Sequence, residues 1–343
     1  MTWHPLTLAI WLLDGLAAVF YLAAAARLLA VLPGWNPEAR DRLQLSRERG
    51  LELVVHQGRW VLVLQAMSFL LLVVAVGNVW PDHVPGAMCG LGVMQAMGAA
   101  GNQTLFLRLA LLGLLFAWHS LEKIARRHPL HQAVGASGRL LLLSGPLLAA
   151  GAWTFLAALR SIRPDQPVSC CATVYAQAGR AAPALEFAWQ AVDWVWPAGA
   201  GAVVVLLYGA YLWFRPRRHG MVQAVLGVAA LLLWLPLAVV TIKFETAPYL
   251  LEVLFHPCPW CLLLGEHGAL GFALFGALAW TGAEAIAAMT AGAAARRHPA
   301  LVPAAGARLR SAGRGIVCST LLFLCLAALP ALIWRLRFGG WMT

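Results

Sequence analysis

Residues 221–242, MVQAVLGVAALLLWLPLAVVTI, pass 22 positions without a charged side chain. A helix rising about 1.5 Å per residue would cover roughly 30 Å over that length, the thickness of a bilayer's hydrocarbon core. Seven more stretches have the same character, at about 5–31, 58–80, 104–121, 138–160, 198–214, 259–290 and 315–336. The run 259–290 is longer than a span requires, so it should tilt or project beyond the bilayer. The first run is too long for a signal peptide and has neither a basic leader nor a small-residue cleavage site, so it reads as a span. Composition agrees: 61% of residues are hydrophobic, 11% are charged and the mean hydropathy is +0.75. The expected fold is all-α, a polytopic integral membrane protein of about eight transmembrane helices forming a single domain over 1–343.

Orientation follows from the basic residues. Alternate connections, the inner loops 33–57, 122–137, 215–220 and 291–314, are rich in arginine. With the adjoining Arg59 and Arg139 they hold 17 of the chain's 25 Lys and Arg. The opposite connections, the outer loops 81–103, 161–197 and 243–258 with the adjoining Arg160, share six with the C-terminus. The positive-inside rule then puts both termini on the extracytoplasmic side. The net charge of +11 is explained by basic loops facing anionic lipid, and no nucleic-acid partner is needed. Trp3, Trp80, Trp189, Trp194, Trp196, Trp260, Trp334 and Trp341 fall at outer ends of these runs. Trp35, Trp60, Trp118 and Trp213 fall at inner ends, as interfacial anchors should. The expected location is a cell membrane, specifically a bacterial inner membrane.

Five of the seven cysteines lie in or next to the outer loops: Cys89, Cys170, Cys171 and Cys258 within them and Cys261 just beyond the third. Thiols on an oxidising face staple loops, pass electrons or hold a soft metal. The sharpest motif is His256-Pro-Cys258-Pro-Trp-Cys261, at the mouth of the seventh run. If a helix starts at Pro259, Cys258 is its N-cap, and the free N–H groups and helix dipole stabilise a thiolate there. Cys261 then lies on the same face and can close a reversible disulfide. A C-x-x-C pair is equally half of a four-ligand metal site, which Cys170, Cys171 or His256 could complete. The adjacent Cys170 and Cys171 pair more easily with other loops than with each other. Met88, Met94 and Met97 flank Cys89 and could assist copper binding, although packing is the commoner use of methionine. Cys318 and Cys325, within the eighth run, read as small packing residues.

Cys258-Pro-Trp-Cys261 resembles the Cys-Pro-aromatic-Cys motif of glutaredoxins over these four residues, and the resemblance implies thiol-disulfide chemistry. The general plan is similar to that of bacterial disulfide-generating membrane proteins, from which eight spans and these loop spacings depart.

Ionisable residues inside the apolar runs form a second group. Asp14 lies about ten residues into the first run, Arg108 about one turn into the third, and Glu266 and His267 just beyond Cys261. Charges at such depth should face the bundle and pair. They read either as a proton- or quinone-contacting path beneath the thiols, or as a structural ion pair of Arg108 with Asp14 or Glu266. A bis-histidine haem is disfavoured, because His56 and His119 come out at levels differing by about 13 Å. Gly-rich phosphate loops, H-E-x-x-H and G-x-S-x-G are all lacking.

Three functions follow. One is a membrane thiol-disulfide oxidoreductase, with Cys258 attacking, Cys261 resolving and Cys170, Cys171 or Cys89 relaying electrons between an extracytoplasmic thiol protein and quinone. The second is a protein that binds or transports copper, zinc or mercury through Cys258, Cys261 and His256. The third is a structural membrane subunit whose disulfides brace its loops.

Overall fold

The computed structural model describes residues 3–36, 39, 41–127, 133–163, 165–168, 193–216, 221–253 and 258–342. Among them are eight helices long and apolar enough to cross a membrane. They are α1 (Pro5–Val31), α2 (Arg42–Val74), α3 (Gly90–Ala125), α4 (Val134–Ser161), α5 (Val195–Phe214), α6 (Met221–Thr241), α7 (Leu270–Arg297) and α8 (Val302–Phe338). No strand occurs among the described residues. Cys170, Cys171 and His256 lie outside them.

Helix ends depart from the hydropathy reading in three places. The basic segment before residue 58 is already helical from Arg42, so the second span continues an amphipathic lead-in. α3 begins at Gly90 and bends at Gly98, whose φ of 60° and ψ of −150° only glycine adopts without strain. α7 begins at Leu270 rather than at residue 259. Gly268 and Ala269 take positive φ, 70° and 53°, and two left-handed residues in succession separate the preceding turns from the helix.

The chain divides into two compact units. The first comprises Met1–Val73, Met97–Ile162 and Ile286–Leu309. Its apolar core takes Ala24 and Leu28 from α1, Val54, Val55 and Val61 from α2, Leu111, Leu115 and Trp118 from α3, and Leu141 and Leu148 from α4. Outward it presents large apolar side chains such as Leu12, Leu22, Phe106 and Trp153, whereas Asp14, Gln65, Ser68 and Arg108 are buried. Apolar outside and polar inside is the pattern that lipid imposes on helices. Gly58 lets α2 and α3 approach: a Cβ there would stand 2.4 Å from the buried Trp118 ring. Gly58→Ala should therefore destabilise the protein by about 1–3 kcal/mol. Gly135→Ala, with nothing within 4 Å, should be neutral or slightly stabilising. Thermal unfolding of the two variants in detergent measures the contrast.

The second unit comprises Val74–Ala96, Arg163–Ala285 and Arg310–Thr343. α5 and α6 form a hairpin in which Gly201 faces Trp234 and Gly227 faces Tyr208. The Trp234 indole N–H donates to the Ala198 carbonyl at 3.1 Å, and its ring meets Phe323 of α8 edge-on. Gly209 and Gly313 bring α5 and α8 into backbone contact. Thr281 and Ser319 join α7 to α8 through a 2.7 Å hydroxyl contact.

Two tryptophans assigned to the interface are interior. Trp80 and Trp118 are buried, whereas Trp3, Trp60 and Trp196 are exposed as anchors should be. Cys318 and Cys325 also differ from expectation, since both are exposed on α8 rather than packed.

Candidate functional site

Within the second unit the chain brings together three thiols distant in sequence. Cys89 immediately precedes α3, and Cys258 and Cys261 open the turns that lead into α7. Their sulfur atoms all lie within 4.8 Å of one another, with Cys89 Sγ and Cys258 Sγ 3.7 Å apart. The three residues are 0%, 3% and 6% exposed. Leu91, Leu251, Trp260 and Leu264 close around them.

Glycines make this convergence possible. The Trp260 ring lies across Gly90, where a Cβ would come within 2.5 Å of it, so the residue after Cys89 must be small for the turn to dock. Gly271 does the same behind Leu262, where a Cβ would meet that residue's backbone at 2.9 Å. Leu263 packs over Gly77. The turn itself is held by Leu263 N–H to the Trp260 carbonyl at 3.0 Å and Leu264 N–H to the Cys261 carbonyl at 3.2 Å.

Electrostatically the cluster concentrates negative charge on one sulfur. Cys258 is pulled down to about 3, chiefly by hydrogen bonds from the Cys261 and Cys89 thiols and also by the Cys261 and Trp260 backbone N–H groups. Cys261 is pushed up, first because its proton is engaged by Cys258 and then by Cys89. Cys89 is pushed up as well, chiefly through its contact with Cys258. The sequence-based reason for an activated Cys258 is thereby corrected. Cys258 is not the N-cap of a long helix, and neighbouring thiols and turn N–H groups replace the helix dipole.

Cys89, Cys258, Cys261, Cys318 and Cys325 form no disulfide. The loop-bracing disulfides weighed from the sequence are therefore absent among the described residues.

The ionisable residues separate. Glu266 and His267 sit in a short turn, Gly265–His267, before α7, with Glu266 exposed, so neither lies inside a span. In the first unit, Arg108 and Asp14 form a bidentate pair, Nη1 to Oδ1 at 3.1 Å and Nη2 to Oδ2 at 2.5 Å, at 2% and 6% exposure. Ser68 Oγ donates to Asp14 Oδ1 at 2.7 Å and accepts from Arg108 Nη1 at 2.6 Å. Gln65 Nε2 donates to the same carboxylate oxygen at 3.1 Å. The guanidinium also lies 5.1 Å from the centre of the Phe155 ring. Gln65 and Ser68 were not singled out from the sequence. Their spacing of three on an apolar helix puts two polar groups on one face, which was the available signal. His56 is exposed and His119 half-buried.

Compared with known proteins, the chain matches no family model, no curated sequence and no solved structure.

Proposed function

We propose that this membrane protein holds a soft metal ion at Cys89, Cys258 and Cys261. The observation that carries the reading is three buried sulfurs gathered from two segments of the chain within 4.8 Å. Around an ion at the usual zinc–sulfur distance of about 2.3 Å, tetrahedral ligands stand roughly 3.8 Å apart. Cys89 and Cys258 are 3.7 Å apart, so they fit with almost no movement. An all-thiolate donor set selects copper(I), zinc or mercury over hard cations. Burial supports the same reading, because it shields a bound ion and hinders in-line attack by an external thiol. On the arginine-set orientation, the centre faces the extracytoplasmic side of a bacterial inner membrane.

Metal analysis of protein purified without chelators tests the proposal. About one ion per chain is expected, with X-ray absorption giving metal–sulfur distances near 2.3 Å. Protein that binds none of these ions when challenged would overturn it. A pH dependence also follows. Cys258 already carries its charge at neutral pH, whereas Cys89 and Cys261 must each lose a proton to ligate. Binding should therefore release about two protons, and log K should rise by about two per pH unit between pH 6 and 8. Competition titrations against a chromogenic chelator measure that slope.

A second reading is favoured by the 3.7 Å Cys89–Cys258 approach and the Cys258-Pro-Trp-Cys261 spacing. Closing a disulfide between two of these thiols gives up two electrons and two protons, which a membrane quinone would take up as quinol. Differential alkylation would then find two of the three cysteines oxidised as isolated and, after chemical reduction, re-oxidised by added quinone with quinol formed and no metal bound.

A further inference from the structure

The first unit holds a cavity of about 220 Å³ between α1, α2, α3 and α4, at the level where α1 and α3 end and α4 begins. Its floor is apolar, with Leu28, Val54, Val55, Trp118 and Val134 all buried. Its polar wall carries three carboxylates, Glu48, Glu52 and Glu122, against one guanidinium, Arg126. Glu122 is 7% exposed and already engages that guanidinium, accepting from Arg126 Nε at 2.9 Å and from Ser137 Oγ at 2.8 Å. Glu48 and Glu52 are exposed, one helical turn apart on α2, and have no ion-pair partner among the described residues. Like charges at that spacing repel, and a cation placed beside them relieves the repulsion.

The arrangement indicates the kind of cation. Among the described residues, only the thiols of the second unit bring ligand atoms from three His, Cys, Asp or Glu side chains within 4.8 Å of one another. The three carboxylates are therefore spread around the cavity, too far apart to share one metal ion. Two ammonium groups joined by methylenes fit that spread. The methylenes pack on the apolar floor while each end donates N–H to carboxylate oxygens. Two positive charges also match the two negative ones that Arg126 leaves unbalanced. The volume falls below the roughly 300–1,000 Å³ of pockets for drug-sized ligands, so the occupant is short.

We propose that this cavity binds a short aliphatic diamine, with Glu48, Glu52 and Glu122 receiving its ammonium groups. The site lies wholly within the first unit and does not rest on the thiol centre.

The test is isothermal titration calorimetry on the full-length protein in a non-ionic detergent. The probe is pentane diamine (cadaverine), and magnesium and pentanol are the competitors. Saturable binding of about one diamine per chain is expected, with neither competitor displacing it at equal concentration. In the E48Q/E52Q protein affinity should weaken roughly tenfold, from about threefold per exposed ion pair. L51W narrows the cavity from a half-buried position without changing charge. It should weaken binding at least as much, and it serves if the double variant fails to fold. E266Q removes an exposed carboxylate of the second unit and, as the control, should bind like the wild type. Absence of saturable binding to the wild type overturns the proposal. Displacement by magnesium would reduce the site to an acidic surface, and displacement by pentanol to an apolar hole. Either outcome overturns the proposal, as does undiminished affinity in the folded variants.

Discussion

Cys258→Ser is expected to empty the thiol centre, leaving less than about a tenth of the wild-type metal content after purification. Changes merely adjacent to metal ligands lower affinity by about 10–100-fold, and loss of a ligand should do at least as much. Cys258 should be the most damaging of the three to lose. It carries the charge onto which Cys89 and Cys261 converge, and it lies 3.7 Å from Cys89. Stability should fall as well. An ion present at a thousand times its dissociation constant stabilises the folded state by about 4 kcal/mol, and a chelator should remove that margin from the wild type but not from the variant. Cys318→Ser, on the exposed face of α8, is the control and should change neither quantity. Undiminished metal in Cys258→Ser would refute the assignment of these ligands.

Arg108→Ala should be the most destabilising single change in the first unit, at about 3–5 kcal/mol. It strands a carboxylate that is 6% exposed and held by Ser68 and Gln65 without its counter-charge. Removing both charges is a different matter. The paired Asp14→Leu, Arg108→Met protein replaces a buried ion pair with apolar bulk in an apolar setting, and should recover most of the loss. Reversible unfolding in mixed micelles compares the two. If Arg108→Ala matched the wild type, the pair would not be what ties α1, α2 and α3 together.

The spans were legible because bilayer thickness converts directly into a length of apolar sequence. Their ends were not. α3 reaches back to Gly90 because the backbone turns at Gly98 without leaving the helix for long, a device that hydropathy cannot register. α7 starts late because Gly268 and Ala269 hold positive φ, and this moved Glu266 and His267 out of the membrane and removed the N-cap argument for Cys258. In the thiol centre, the Cys258/Cys261 spacing announced itself. That Cys89 joins them depends on Trp260 docking over Gly90, a contact between residues far apart in the chain. Asp14 and Arg108 stood out as charges in apolar runs, but which would meet which is set by helix packing.

The 169 residues separating Cys89 from Cys258 also fix an order of events during biosynthesis. At about 5–20 residues per second, the first sulfur leaves the ribosome on the order of ten to thirty seconds before the other two. Throughout that interval it lacks the two sulfurs it meets in the folded protein, so on the metal-binding reading the three-thiol centre cannot form until the polypeptide is three-quarters made. Loading is therefore a late step of maturation, and nascent chains stalled before the seventh helix should carry an alkylatable thiol that finished protein conceals.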